Sequence, residues 1–341
     1  MDQIYLSIVI PCYNEAEGIE ELCRRVTGAC ANLDKPYEVV LVNDGSRDST
    51  WRKMTEAAQA DSRIIGVNLS RNHGHQLALS AGLTLCRGER ILILDADLQD
   101  PPELMGEMMA LMDQGADVVY GQRRTRAGET VFKKFSASLF YRIIEKLTDV
   151  PIPRETGDFR MMSRRALDVL IAMPERHRFI RGMVSWIGFR QVPLLYDRAA
   201  RFAGETKYPL RKMIRFAIDA VTSFSVKPLA LASFVGVISG FLAVIMLVYS
   251  IVSWFVLKTT PGWSSLMAVV TLLGSVQLLV LGIFGEYLGR LYEQSKGRPL
   301  FIIQQVVQSQ QAQHEVGEPT IIGPVHAPVA QYAVAGQKVE V

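Results

Sequence analysis

Two glycine loops with which nucleotide-binding folds cradle phosphate, G-x-G-x-x-G and G-x-x-x-x-G-K-[ST], are absent from all 341 residues, which argues against the dehydrogenase and P-loop NTPase classes. Cysteine is scarce. Cys12, Cys23, Cys30 and Cys86 include no C-x-x-C spacing, so neither a disulfide framework nor a zinc site is expected, and the thiols read as packing residues. The segment Met1-Asp-Gln-Ile-Tyr5 has no basic run ahead of an apolar one and does not resemble a secretory signal. Charge of one sign is lacking too: 37 Lys and Arg against 34 Asp and Glu leave a net charge of +3, too small to expect a nucleic-acid partner.

Charge is also missing locally. Residues 229–257 hold no charged side chain over 29 positions, more than the roughly 20 that a helix needs to cross a bilayer. A second uncharged run covers 264–285, and the turn formers Pro261 and Gly262 stand between the two. The pattern predicts a transmembrane helical hairpin. Lys207, Arg211, Lys212, Arg215 and Lys227 precede the first run and Arg290, Lys296 and Arg298 follow the second, whereas the connecting loop carries only Lys258. Positive flanks on both outer sides predict a multi-pass protein of the inner (cytoplasmic) membrane with its catalytic domain and both termini cytoplasmic. From Lys207 onward basic and apolar residues interleave at helical spacing, as in helices that lie along a membrane surface. The expected domains are a catalytic domain over 1–206, juxtamembrane helices over 207–228, two transmembrane helices over 229–286 and a cytoplasmic tail over 287–341, disordered after about 307.

What the front of the chain contains is alternation. Apolar runs at 6–10, 37–42, 64–69 and 90–94 are separated by amphipathic stretches at 15–33, 49–60 and 76–86. This predicts a Rossmann-like α/β domain with a mostly parallel sheet and helices on both faces. Further strands are expected at 117–120 and 191–196, and helices at 132–147 and 164–171. Ligands of such sheets bind beyond the carboxyl ends of the strands. Here those ends read Pro11-Cys-Tyr-Asn-Glu15, Asn43-Asp-Gly-Ser-Arg-Asp48, Ser70-Arg-Asn-His-Gly74 and Asp95-Ala-Asp-Leu-Gln-Asp100. One polar end reads as a turn or helix cap; four on one edge read as a site.

Asp95-Ala-Asp97 follows an uncharged strand, so its two carboxylates stand where a hard divalent cation and a diphosphate would share oxygen ligands, and Mg2+ or Mn2+ suits such a set. Gln99 is placed to add a neutral oxygen. Without a glycine loop, a metal on Asp95 and Asp97 is the expected means of neutralising diphosphate. Asp44 reads as an acceptor for base or ribose, or as a cap of the next helix, a role open also to Ser46 and Asp48; Tyr13 reads as a platform for the base. His73 and His75 have no Cys or third His nearby and read as hydrogen-bonding or packing groups.

The runs Ile8-Val-Ile-Pro-Cys-Tyr-Asn-Glu15, Val42-Asn-Asp-Gly-Ser-Arg-Asp48 and Leu94-Asp-Ala-Asp-Leu-Gln-Asp-Pro-Pro102 resemble glycosyltransferase family 2, of the GT-A fold. The blocks Thr156-Gly-Asp-Phe-Arg160, Arg178-Phe-Ile-Arg-Gly182, Trp186-Ile-Gly-Phe189 and Gly204-Glu-Thr-Lys-Tyr208 are similar to those of its polyprenyl-phosphate glycosyltransferases, such as bactoprenol glucosyltransferases and dolichol-phosphate mannose synthases. The resemblance spans residues 5 to 305 or so. It implies nucleotide contacts at Pro11, Tyr13, Glu15 and Asp44, donor contacts at Ala96 and Lys207, and metal and diphosphate contacts at Asp95, Asp97 and Gln99. For the acceptor phosphate it implies Arg123, Lys133 or Lys134, and Ser136, with Arg201 and Lys207 swinging over donor and acceptor together. Asp158 either orients a sugar hydroxyl or assists the acceptor, or pairs with Arg160 as structure.

The implied reaction is an inverting, metal-dependent transfer of a hexosyl group from a nucleotide-sugar to undecaprenyl phosphate, with UDP-glucose as donor and GDP-mannose or another UDP-sugar as alternatives. A membrane scaffold with an inactive transferase domain is the alternative that is not an enzyme, although decay would be expected to damage the Asp95 and Asp97 pair. The implied partners are the nucleotide-sugar, the polyprenyl phosphate and the bilayer, and the apolar helix faces allow a homo-oligomer.

Overall fold

The computed structural model of the chain describes residues 3–124, 153, 155–198, 225, 227–256 and 262–309. The chain divides into two compact units, one of Met1–Ser138, Val150–Pro209 and Arg298–Val341, the other of Leu139–Asp149 and Leu210–Gly297.

In the first unit the apolar runs form strands β1 (Leu6–Cys12), β2 (Tyr37–Asn43), β3 (Ile64–Leu69) and β4 (Arg90–Ile93), alternating with helices α1 (Ile19–Ala31), α2 (Thr50–Ala60) and α3 (His75–Leu85). β1 and β2 are buried at every position, the reason their sequences are continuous apolar runs. Ile8, Ile10 and Leu41 share a core with Ile19, Leu22 and Val26 of α1. The intervening Val9, Val40 and Val42 point to the other face, where α3 lies. A Cβ on Gly82 of α3 would sit 2.4 Å from Val9 Cγ1 and 2.9 Å from Val42 Cγ2. Glycine therefore lets α3 lie flush on the sheet, and the first turn of α3 carries site residues.

Strands β5 (Val118–Arg123), β6 (Thr156–Ser163), β7 (Gln191–Tyr196) and β8 (Ile303–Val307) complete an eight-stranded sheet in the order β7-β5-β6-β4-β1-β2-β3-β8. Four of the seven pairings are parallel, so the mostly parallel α/β sheet expected from the sequence is present. β6 runs antiparallel to both β4 and β5. Its amino end thus lies at the edge where the parallel strands end, and continuing the Ile93–Arg160 register sets Asp158 level with Asp95. Three further helices, α4 (Met105–Asp113), α5 (Arg164–Ala172) and α6 (Ile180–Ile187), cover this half. The sequence pattern does not announce α4, whose Met105, Met108, Met109 and Met112 join the core of α1, nor α6. It also has no strand at β8, where the chain returns to pair antiparallel with β3. The four cysteines are unpaired, and burial pushes the Cys30 and Cys86 thiols up to about 12.

The second unit holds α7 (Lys227–Val256) and α8 (Trp263–Ser295), packed against each other. Lys227–Tyr249 and Leu272–Ser295, with mean hydropathies of 2.5 and 1.5, are long and apolar enough to cross a membrane. Val237 and Leu278 are each 71% exposed, and a continuous apolar surface of this kind is one that water disfavours. The helix expected at 132–147, the juxtamembrane stretch at 207–224, the 257–261 linker and the tail beyond 309 lie outside the described residues.

Candidate active site

The loops after β1, β2 and β3 are fastened to one another. Asn14, in the left-handed region at φ +55°, donates its backbone N–H to Ser46 Oγ (3.0 Å) and accepts from Arg47 N (2.9 Å). Short polar side chains tolerate this conformation best. Asp48 accepts from Thr50 N (3.0 Å), the first amide of α2, and from Ala16 N (3.3 Å), which ties the two loops together. Asp44 does not cap α2. It is buried, and its carboxylate accepts from His73 N (2.7 Å) and Gly74 N (3.0 Å) in the loop before α3. Gly45 makes this approach feasible: its φ is +63°, and a Cβ there would lie 2.5 Å from Asn72 N. Of the remaining nucleotide candidates, Pro11 is buried in β1, Glu15 is half-buried, and Tyr13 is 42% exposed, its ring open for stacking.

Beyond β4 the carboxylates gather. Asp95 and Asp97 leave the strand end, and continuing the antiparallel register brings Asp158 level with them. Asp158 Oδ2 accepts from Gln76 Nε2 (2.8 Å) and meets His75 Nε2 (3.1 Å), both from the first turn of α3. Gln76 Oε1 accepts from Ile180 N (2.9 Å) and so joins this pair to the start of α6. His75 Nε2 also lies 3.6 Å from Asp95 Oδ1, and Arg181 Nη2 lies 3.6 Å from Asp158 Oδ1. Arg160 does not pair with the Asp158 carboxylate. Its guanidinium donates to the backbone carbonyls of Asp158 (3.3 Å) and Gly157 (3.0 Å).

This arrangement separates the titrations. Burial raises Asp158, but the His75 hydrogen bond and the charges of Arg181, His75 and Arg160 more than offset it, holding the carboxyl well below the usual carboxylate range. For Asp95, burial is the largest influence, and with the charges of Asp158, Asp100 and Asp97 it outweighs His75 and lifts the carboxyl to about 6. Burial lowers His75, but the Asp158 hydrogen bond and the Asp95 charge reverse this and carry it to about 9. Asp95 Oδ1 is a buried oxygen without a hydrogen-bond partner among the described residues. Asp97 Oδ1 accepts from Gln99 N (3.1 Å) across Leu98, whose φ of +54° is unusual outside glycine; such conformations cost about 1–3 kcal/mol and gather at functional sites.

A second cluster adjoins the first. Asp100 is fully buried and accepts from the Tyr196 hydroxyl at the end of β7. Arg123, at the end of β5, donates from Nε to Tyr196 Oη (3.3 Å). Arg198 Nε lies 3.4 Å from Asp100 Oδ1, and Arg198 Nη2 lies 3.9 Å from Asp97 Oδ2. Lys133, Lys134, Ser136, Arg201 and Lys207 lie outside the described residues.

A sequence model of glycosyl transferase family 2 matches residues 7–171. The glycosyltransferase YkcC of Bacillus subtilis (strain 168) is 44% identical over 304 residues, 88% of this chain and 94% of that one. The chain belongs to glycosyltransferase family 2. The prophage bactoprenol glucosyl transferase homolog of Escherichia coli (strain K12) is 34% identical over 88% of this chain and 99% of its own. The bactoprenol glucosyl transferase of Shigella phage SfV is 36% identical over 87% of this chain and 97% of its own. The family assignment makes the α/β unit a GT-A catalytic domain and the protein a transferase enzyme.

Against a metal, the family-2 site is open rather than closed. Among the described residues no three His, Cys, Asp or Glu side chains form a metal cage. What is present is Asp95 Oδ1, buried and without a hydrogen-bond partner among the described residues, beside Asp97, in a pocket where burial and the neighbouring carboxylates raise the Asp95 carboxyl. Two hard oxygen ligands in an anionic pocket fit Mg2+ or Mn2+ with the remaining positions left for phosphate and water. Sequence reasoning located the Asp95 loop from its place after a strand. The same rule applied to the end of β7 points to Tyr196 and Arg198, whereas Gln76 and Arg181 leave no signal, because they are brought in by the packing of α3 and α6.

Proposed function

We propose that this enzyme transfers a hexosyl group from a nucleotide-sugar, UDP-glucose, to undecaprenyl phosphate with inversion, aided by Mg2+ or Mn2+. The observation that carries this is Asp95 Oδ1, buried and without a hydrogen-bond partner among the described residues, two positions from Asp97 at the carboxyl edge of the sheet. The acceptor is supported by relatives that carry the name bactoprenol glucosyl transferase over nearly their whole length. The exposed apolar surfaces of α7 and α8 support a bilayer as partner of the helical unit, and the basic flanks of both helices support a cytoplasmic catalytic side.

Asp95 and Asp97, with Gln99, would hold the cation, which when bound neutralises the diphosphate as it leaves. The Tyr13 ring stacks on the base, and Pro11, Glu15 and Asp44 line its pocket. Asp44, spent on two backbone donors, retains lone pairs for a ribose hydroxyl. A phosphate monoester is ionised at neutral pH, so its oxygen attacks the anomeric carbon without a strong base. Asp158 accordingly serves as an ionised acceptor for a sugar hydroxyl, since a carboxylate held so far below its usual range is a poor proton acceptor. Arg123 faces the acceptor phosphate, and Lys133, Ser136, Arg201 and Lys207 supply the remaining contacts to phosphate.

The test uses purified protein in detergent with undecaprenyl phosphate and Mg2+, offered UDP-glucose, UDP-GlcNAc, UDP-galactose and GDP-mannose separately, with and without EDTA. Incorporation of one sugar into lipid, abolished by EDTA, is the expected result. Labelling from GDP-mannose alone would replace the donor, and EDTA-resistant transfer would remove the metal.

A further inference from the structure

Resting on the reading that a phosphate acceptor binds at this edge, we propose that Asp100 and Tyr196 position Arg123 and Arg198 as a two-arginine phosphate site. Asp100 has no exposure at all, and a buried carboxylate must be paired to persist as an anion. Two guanidinium groups are brought to it: Arg198 Nε at 3.4 Å and Arg123 Nη2 at 3.8 Å from the same oxygen, Oδ1, that accepts the Tyr196 hydroxyl. A purely structural pair needs one cation. These two side chains keep 19% and 24% exposure; among the described residues Arg123 uses Nε on Tyr196 and Nη2 toward Asp100, and Arg198 uses Nε toward Asp100 and Nη2 toward Asp97, part of the five N–H donors on each.

The backbone is shaped to admit them. A Cβ on Gly157 would lie 2.8 Å from Arg123 Nη2 and 3.7 Å from Asp100 Oδ2. A Cβ on Gly121 would lie 2.6 Å from Phe159 Cδ1 and 2.9 Å from Tyr196 Cε1, where those two rings meet edge to face at 5.6 Å. Two glycines on neighbouring strands thus open the space through which Tyr196 reaches Asp100 and in which the Arg123 guanidinium rests on the sheet. Arg198 extends the site toward Asp97, 3.9 Å away. Paired planar forks of this kind match phosphate oxygens bidentately. Such oxygens come either from the acceptor monoester or from the donor diphosphate, and the acceptor is the expected source.

Full-length protein in detergent is titrated calorimetrically with farnesyl phosphate and, separately, with UDP and Mg2+, comparing Asp100→Asn, Arg198→Gln and Gly157→Ala with the wild type. Thermal melting reports the fold, and Arg198→Gln, at a partly exposed position, keeps the test available if the buried variant does not fold. Each variant is expected to weaken farnesyl phosphate by about ten-fold or more while UDP shifts by less than about two-fold, and to raise the acceptor KM with kcat nearly unchanged. Weakened UDP with intact farnesyl phosphate supports the site but assigns it to the donor. Unchanged affinity for both in folded Arg198→Gln, or a fall in kcat alone, overturns it. A wild-type protein that transfers no sugar to polyprenyl phosphate would defeat the parent reading, and the two binding titrations would still decide this one.

Discussion

At the amino end of the sheet, Glu38 on β2 is buried with both oxygens occupied: Oε1 accepts from Ser7 Oγ (2.7 Å) and Arg87 N (2.6 Å), and Oε2 accepts from Arg87 Nε (2.9 Å). Asp117, before β5, is likewise held by Ser163 Oγ (3.0 Å) and by both Nε and Nη2 of Arg165. At the carboxyl end, Asp95 Oδ1, Asp100 Oδ2 and Asp158 Oδ1 are buried oxygens without a hydrogen-bond partner among the described residues. Both ends bury carboxylates in the same sheet; Glu38 and Asp117 have both oxygens hydrogen-bonded, as does Asp44, whereas Asp95, Asp100 and Asp158 each keep one oxygen without such a partner among the described residues. Since a buried oxygen left without a hydrogen bond is costly, the amino end reads as structure and the Asp95, Asp100 and Asp158 cluster as a surface completed by what binds there.

The largest effect expected from this contrast is on catalysis. Asp97→Asn should lower kcat for sugar transfer by about 10²–10³ or more, the scale on which a preorganised electrostatic group acts, while the protein still folds, because the amide oxygen can accept from Gln99 N as the carboxylate does. A folded variant retaining near wild-type turnover would take Asp97 out of the site.

How far the contrast was legible in the sequence differs between its two sides. Asp95 and Asp97 stand out because an uncharged strand ends immediately before them, and strand ends converge in an open α/β sheet. Asp158 was visible only as part of a block, since nothing local reveals that β6 runs antiparallel and delivers its amino end to the same edge. Glu38 was not singled out at all: it sits inside an apolar run, and its partners Ser7 and Arg87 are distant in sequence. α4 was missed because its methionines carry little periodic contrast with their neighbours, and β8 because a strand that follows two long apolar helices pairs with a segment more than 200 residues earlier.

Next in size is the amino end itself. Glu38→Ala strands the Ser7 hydroxyl and the Arg87 backbone donor, and leaving buried donors without their acceptor costs about 1–3 kcal/mol, read as a lower denaturation midpoint. Turnover per folded molecule should stay near wild type. Equal losses of activity and stability would mean that the two ends are not separable.

The two ends should also titrate with opposite signs. The Arg165 hydrogen bond holds Asp117 below its ordinary value, so its stabilisation is present above the unfolded pKa of about 4 and is lost as pH falls through the lower folded value. Asp95 is raised to about 6, so its contribution is present below about pH 4 and is lost as pH rises through the folded value. In EDTA, Asp117→Asn should therefore destabilise at pH 7, by about 1–2 kcal/mol for a charge-assisted pair, and hardly at all well below pH 4. Asp95→Asn should stabilise at pH 7 and converge on wild type below pH 4. Parallel pH profiles for the two variants would sink the distinction.

The smallest effect calibrates the others. Arg52 Nη1 lies 2.7 Å from Glu56 Oε1 on α2, as short as the contacts around Glu38, yet these side chains are 65% and 57% exposed. Water competes for both groups and salt screens them, so an exposed helical pair contributes about 0.3–0.5 kcal/mol. Arg52→Ala should move the denaturation midpoint within that range and leave turnover unchanged. If it instead cost as much as Glu38→Ala, short distance rather than burial would be setting the energies, and unsatisfied oxygens at the carboxyl end would no longer mark a site.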